Sequence, residues 1–112
     1  LIGVGPLTGT LLPASAFMTI SGKSPLTGIL GDSAAGGHFG TEIKQAGYDQ
    51  IVMTGRSPKP CYLWIADDQV EIRDASHLWG LDIWQTTTAI RKDLNDNAIQ
   101  VAAIGPAGEN LV

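Results

Sequence analysis

The fold is decided by the stretch from Gly5 to Gly40, which contains the motifs Gly5-Pro6-Leu7-Thr8-Gly9-Thr10, Lys23-Ser24-Pro25-Leu26-Thr27-Gly28 and Ala34-Ala35-Gly36-Gly37-His38-Phe39-Gly40. Glycine lacks a Cβ, and proline, serine and threonine favour turns, so the stretch predicts turns between short apolar runs rather than a long helix. Two interpretations follow. The turns form a surface of backbone N–H groups and small hydroxyls facing a large polar ligand, or they are the tight turns of a β-rich domain.

Short repeats within the chain suggest a duplication. Pro-Leu-Thr-Gly occurs twice, at Pro6 to Gly9 and at Pro25 to Gly28, and the segment Leu1 to Gly9 resembles Ala102 to Gly108. Both members of the second pair run from an apolar strand into Gly-Pro, a small residue and Gly. The echo predicts two α+β halves that each offer a strand-to-turn junction to a shared site.

Length and composition restrict the class of protein. The chain has 112 residues, 44% hydrophobic and 16% charged, which is typical of one globular domain or part of one. A net charge of −4 with scattered cations argues against nucleic-acid binding, and no apolar run is long enough for a membrane helix. A single cysteine excludes an internal disulfide and a thiolate cluster built by this chain alone. Because the sequence opens inside an apolar segment without a leader, we expect a fragment of a longer protein.

Apolar and β-branched runs predict the strands, which are Leu1–Val4, Phe17–Ser21, Leu26–Leu30, Gln50–Thr54, Cys61–Ala66, Val70–Arg73 and Ile99–Ile104. The alternation in residues 50–73, with Asp67-Asp68 as a tight turn, predicts an antiparallel meander of three strands. Strong helix signals are fewer. Thr41 predicts the N-cap of a short helix that ends at Gly47, and Asp82 predicts the N-cap of a helix from Ile83 to Leu94.

The short helix after Gly36-Gly37 has two possible roles. Its free N–H groups could face an anion, or it could simply connect strands across the sheet.

No catalytic constellation is visible in the sequence. His38 and His77 lack further ligands at metal spacing, so structural roles are expected for both. The serines lack a Gly-x-Ser-x-Gly elbow, and Cys61 in an apolar strand is expected to be an inert core residue. The tryptophans Trp64, Trp79 and Trp84 are expected to anchor the core, with Trp79 as an alternative cleft residue.

The ordered set of motifs resembles the N-terminal domain of the tungsten-containing aldehyde ferredoxin oxidoreductase family. Besides the three motifs already quoted, the resemblance rests on Lys44-Gln45-Ala46-Gly47-Tyr48-Asp49, the segment Val70 to Gly80 and Ile104-Gly105-Pro106-Ala107-Gly108-Glu109-Asn110-Leu111-Val112. It covers essentially the whole chain, in order and with compatible spacing.

This resemblance implies an α+β fold, a duplication of two similar subdomains with mostly antiparallel sheets. Residues 1–112 would form part of a domain on which a bis-pterin cofactor, tungstopterin or molybdopterin, lies. The enzyme would oxidise small aldehydes to carboxylic acids and pass electrons through a [4Fe-4S] cluster to ferredoxin. The cluster and the substrate pocket would belong to later domains. The full-length protein would be a cytoplasmic homo-oligomer that binds neither nucleic acid nor membrane.

The resemblance places the cofactor contacts at Ala34, Ala35, Gly36 and Gly37. Similar proteins carry Asn-Ser-Gly-Gly there, so Gly36 matches, whereas Ala34 replaces Asn and leaves only a backbone contact. Phe17 stands where the family tends to carry Arg, which removes a strong donor to phosphate or pterin. The alternative hypothesis is therefore a non-catalytic paralogue that keeps the fold and has lost the cofactor.

Overall fold

A computed structural model describes residues Leu1–Leu111, and Val112, the last residue of the final quoted motif, lies outside the described residues. The chain divides into two compact units. The first comprises Leu1–Gly55 and Ile65–Gln69, and the second comprises Arg56–Trp64 and the chain from Val70 on. Both contain strand and helix, and the sheets are antiparallel, which confirms the predicted α+β class.

The first unit is a four-stranded sheet with one helix. In chain order its elements are β1 (Ile2–Val4), β2 (Met18–Lys23), β3 (Leu30–Ala35), α1 (His38–Gln45) and β4 (Gln50–Ile51). The strands lie in the order β3-β2-β1-β4, and every neighbouring pair is antiparallel. Met18 on β2 and Ile43 on α1 are its buried apolar residues.

Two boundaries in this unit differ from the prediction. Of the strand expected at Leu26–Leu30, residues 26–29 lie in a turn and only Leu30 is in a strand, as the first residue of β3. The Ser24 hydroxyl accepts from the N–H of Thr27 and the Ser24 carbonyl from that of Gly28, which closes the hairpin between β2 and β3. Helix α1 begins at His38 rather than after Thr41, since Gly37, with φ of 107°, turns the chain from strand into helix.

The end of α1 follows the prediction. Gly47 has φ of 94°, its N–H donates to the carbonyl of Lys44, and the N–H of Tyr48 donates to that of Ile43. These two bonds form a Schellman motif, for which a left-handed glycine is the preferred residue.

The predicted three-stranded meander is wrong. Its first member is only the two-residue strand β4, which pairs with β1 through Ile2 and Ile51. The free edge of β1 takes this segment, so β5 (Cys61–Ala66) and β6 (Gln69–Asp74) form a separate two-stranded sheet. The tight turn at Asp67-Asp68 is confirmed, with Asp67 at φ of 51°.

The second unit is built around helix α2 (Ile83–Asp93), with a 3-10 turn at Ser76–Leu78 and the short helix α3 (Gly105–Glu109). Asp82 caps α2 as predicted. Its carboxylate accepts from the N–H of Gln85 at 2.7 Å, while the Gln85 side chain accepts from the N–H of Asp82 at 3.1 Å. The buried core consists of Ala75, Leu78 and Ile90, and the partly buried residues around it are Tyr62, Leu81, Ala89, Leu94, Ile99 and Val101.

Three other expectations for this part of the chain are wrong. Ile99–Ile104 forms no strand, because no described strand pairs with it, although Ile99 and Val101 pack on the core. Cys61 is exposed at the start of β5. Trp79 and Trp84 are also exposed, because the core positions of this unit are filled by smaller aliphatic side chains. No helix formed by residues 1–111 is long and apolar enough to cross a membrane.

Candidate cofactor-binding site

Two strands of the first unit end side by side at one edge of the sheet. Val4 pairs with Met18, and Met18 pairs with Ala35, so β1 and β3 both end where β2 begins. Neighbouring strands are about 4.8 Å apart, which places the two ends about 10 Å apart. We call the Gly5–Gly9 loop, Phe17 and Gly36–Gly37 the exit edge.

The loop that follows β1 is fixed by one buried hydroxyl. Thr8 is only 6% exposed, and its Oγ1 accepts from the N–H of Gly5 at 3.0 Å and donates to the carbonyl of Phe17 at 3.3 Å. Gly9, with φ of 76°, donates its N–H to the carbonyl of Ser15 at 2.7 Å. The first Pro-Leu-Thr-Gly copy is therefore held against the start of β2.

The four predicted contact residues lie at the other side of the exit edge. Ala34 and Ala35 are the last residues of β3, paired with Thr19 and Met18, rather than part of a loop. Gly36 and Gly37 follow as an exposed junction. A methyl group added at Gly37 would meet nothing within 4 Å, so the backbone there is open to a ligand.

The N-terminus of α1 adds backbone donors at this junction. No side chain caps it, and its first turn contains no acidic residue. The first N–H groups of a helix lack partners within the helix and carry partial positive charge, so this end of α1 favours an anion.

An open groove of ≈ 520 Å³ lies beside the loop after β1, within the first unit. Its wall combines backbone of the first loop with apolar and hydroxyl side chains, among them Gly5, Leu7, Thr8, Ser15, Phe17 and Thr19. Phe17 links the two halves of the exit edge. It lines the groove, and a methyl group added at Gly36 would lie 3.7 Å from its ring.

The second Pro-Leu-Thr-Gly copy does not join this site. It closes the opposite end of the β2–β3 hairpin, after the pair Lys23 and Leu30. Six-residue β2 spans about 17 Å, so the copy lies that far along the strand from the exit edge. The connecting turn of the β2–β3 hairpin is at one end of the two strands, and the glycine pair follows β3 at the open end.

The remaining candidate groups serve local structure in the second unit. His77 pairs with Asp93, with 2.9 Å between Nε2 and Oδ2, which agrees with the structural role expected for it. Hydrogen bonds from the hydroxyl and N–H of Ser76 lower the pKa of the Asp74 carboxyl below its usual range. Among residues 1–111 no three His, Cys, Asp or Glu side chains are grouped as metal ligands.

Sequence reasoning missed the role of Thr8. Its counterpart Thr27 lies in an identical Pro-Leu-Thr-Gly motif, so the motif by itself does not separate the two. The composition of Gly36-Gly37 predicts a turn before a helix, and the structure has the pair between β3 and α1.

The same fold occurs within an oxidoreductase of known structure. The structure matches part of the active-site complex BamBC of benzoyl-coenzyme A reductase, solved with 1,5-dienoyl-CoA, with a TM-score of 0.94 and 46% identity. The match covers 97% of this chain and 17% of that one. The family described as the aldehyde ferredoxin oxidoreductase N-terminal domain matches residues 1–112, and the chain belongs to this family.

Two longer relatives are themselves named as aldehyde ferredoxin oxidoreductases. The chain is 52% identical to the tungsten-containing aldehyde ferredoxin oxidoreductase of Thermococcus kodakarensis and 49% identical to that of Pyrococcus furiosus. Both matches cover the whole chain but only 18% of each relative. The chain thus spans about a fifth of the length of these curated relatives.

Proposed function

We propose that residues 1–112 are part of the pterin-binding N-terminal domain of an aldehyde ferredoxin oxidoreductase-like enzyme. The observation that carries this proposal is the exit edge. There, the Gly36–Gly37 junction and the uncapped end of α1 present backbone donors. The loop after β1 uses its N–H groups at Gly5, Thr8 and Gly9 within the protein, and Thr8 holds it to Phe17 on the other side of the exit edge. The family membership agrees with it.

The residues present fit a bis-pterin cofactor through their backbone. Gly36 and Gly37 are exposed, and the space over Gly37 is open, so a planar hydrogen-bonding ring system can reach the main chain. The free N–H groups of α1 suit the cofactor's phosphate. Ala34 and Phe17 contribute no polar side-chain atom. Ala34, Ala35, Gly36 and Gly37 would therefore hold the group by main-chain contacts.

The role of this chain is to bind and orient. Tungsten or molybdenum in the bound cofactor would supply the oxidation of a small aldehyde to its carboxylic acid. Thr8 fixes the loop on one side, and the β3 pairing of Ala34 and Ala35 fixes the junction on the other. Neither side needs to rearrange when the ligand arrives, which lowers the cost of binding.

Other parts of the working enzyme would come from outside this chain. A [4Fe-4S] cluster held by later domains would carry the electrons. Ferredoxin, which the names of the relatives contain, would receive them. We place the full-length protein in the cytoplasm as a homo-oligomer.

A second candidate keeps the cofactor and changes the substrate. The matched benzoyl-coenzyme A reductase complex is 46% identical over this domain, close to the identity with the aldehyde enzymes. Reduction of an aromatic acyl-CoA thioester is therefore the runner-up reaction. The non-catalytic paralogue remains a third hypothesis, which Phe17 and Ala34 favour.

The test uses the full natural protein, purified anaerobically from cells supplied with tungstate and molybdate. Elemental analysis and the fluorescence of released pterin should give tungsten or molybdenum with pterin in every chain. Oxidation of aldehydes with ferredoxin as acceptor supports the first candidate, and reduction of benzoyl-CoA supports the second. Protein that contains neither metal nor pterin contradicts both and supports the paralogue.

A further inference from the structure

The side chain of Phe17 has no clear task in the folded domain. It is 57% exposed, although burying an aromatic ring would stabilise the fold. Its backbone carbonyl is already held by the hydroxyl of Thr8, and the next residue begins β2. The position of the chain here does not depend on the ring.

Gly36 is the second observation. A Cβ at this position would lie 3.7 Å and 3.9 Å from Cε1 and Cζ of Phe17, which are ordinary contact distances, and nothing else is within 4 Å. Its φ is not positive, in contrast to the 107° of Gly37. The fold thus requires glycine at 37 but would accept alanine at 36. A methyl group there would, however, cover the end of the Phe17 ring.

We propose that Phe17 is a cofactor-binding residue whose exposed ring packs against the planar ring system of the bound cofactor, and that Gly36 leaves the room for it. This inference rests on the proposed function and assigns a side chain to it. Aromatic packing replaces a charged contact, so ligand retention at this point of the exit edge depends little on salt. Stacking of a heterocycle on an aromatic side chain changes affinity by roughly tenfold to a hundredfold.

The experiment measures the rate at which pterin and metal are lost from the full natural protein during dialysis at graded salt concentrations. Phe17→Leu keeps an apolar side chain without an aromatic plane and should lose the cofactor about tenfold faster. Phe17→Trp should retain it. Phe17→Arg should retain it only at low salt, because its contact is electrostatic.

Two further variants separate this role from folding. Gly36→Ala should leave the far-UV spectrum and hydrogen exchange of the unit unchanged and still release cofactor faster. Leu26→Ser alters another exposed apolar residue at the far end of the hairpin and should release it at the wild-type rate.

The outcomes are distinguishable. Wild-type release from Phe17→Leu overturns the inference and leaves the proposed function standing. So does a Phe17→Leu protein that holds cofactor but melts earlier, because the ring would then pack on another part of the protein. A wild-type protein without cofactor overturns the proposed function, and this inference with it.

Discussion

The two Pro-Leu-Thr-Gly copies have the same letters and different surroundings. In the first, the Thr8 hydroxyl is buried and receives the N–H of Gly5. In the second copy the hydroxyl comes from the residue before the motif, since the Ser24 hydroxyl accepts from the N–H of Thr27. Thr27 itself is exposed. The turn chemistry is shared, whereas the neighbours decide which copy carries part of the exit edge.

The glycines of the two copies make the same contrast. Gly9 and Gly28 both adopt the left-handed conformation, with φ of 76° and 72°. A Cβ at Gly9 would lie 3.2 Å from the methyl group of Thr41 on α1, and a Cβ at Gly28 would meet nothing within 4 Å. The first turn is packed, and the second stands free.

The largest expected difference concerns the threonines. Thr8→Val leaves the N–H of Gly5 and the carbonyl of Phe17 without their partner in a partly buried place, at a cost of about 2 kcal/mol. Thr27→Val should cost almost nothing. Hydrogen–deuterium exchange of residues 1–23 in the full protein measures the local opening. Equal exchange in the two variants would break the comparison.

The glycines give the next effect. Gly28→Ala meets only the left-handed penalty of about 1 kcal/mol, while Gly9→Ala adds the contact with Thr41. Thr41→Ser removes the crowding methyl group, so the double variant should return to the loss seen for Gly28→Ala. Hydrogen exchange of the two loops at graded urea concentrations gives the free energy of local opening for Gly28→Ala, Gly9→Ala, Thr41→Ser and the double variant. A double variant as unstable as Gly9→Ala alone would refute the steric explanation.

Ser24→Ala should have a smaller effect. It removes the 3.3 Å contact with the N–H of Thr27 in an exposed turn, where water replaces it, so about 0.5 kcal/mol is lost. The hairpin tip should exchange slightly faster, with no change in cofactor content. Any loss of cofactor would place the second copy in the site after all.

The smallest expected effect is a pH dependence of local stability around Asp74, which neither Pro-Leu-Thr-Gly copy should show. The pKa of Asp74 is lowered by Ser76, so its contribution to stability is complete above the usual aspartate pKa and is lost as pH falls through the lower folded value. Protection factors around Ala75, which are exchange rates divided into the intrinsic rate at each pH, should show this loss from pH 5 downward, and Ser76→Ala should reduce it. The two Pro-Leu-Thr-Gly copies carry no ionisable group, so their protection factors should not change with pH.

Local signals made part of this structure predictable. The capping pair Asp82 and Gln85 and the glycine after α1 act within a few residues of the chain. The start of α2 and the end of α1 are therefore predicted correctly from the sequence. Strand partners were not, because pairing depends on which sheet edge is free. The free edge of β1 takes Gln50–Ile51, which a local pattern assigned to a meander. In the site, the glycine pair was visible in the sequence, but the strand ends that bring it near Phe17 depend on register.

The free hairpin tip also has a practical use. Residues 24–29 lie about 17 Å along β2 from the exit edge, joined to it by hydrogen-bonded strands. A spin label at position 27, in a variant in which the exposed Cys61 is replaced by serine, would be attached to hydrogen-bonded strands at a known distance from the exit edge. Pulsed electron paramagnetic resonance would then measure the distance from this label to a paramagnetic metal centre, and so locate the cofactor relative to β2.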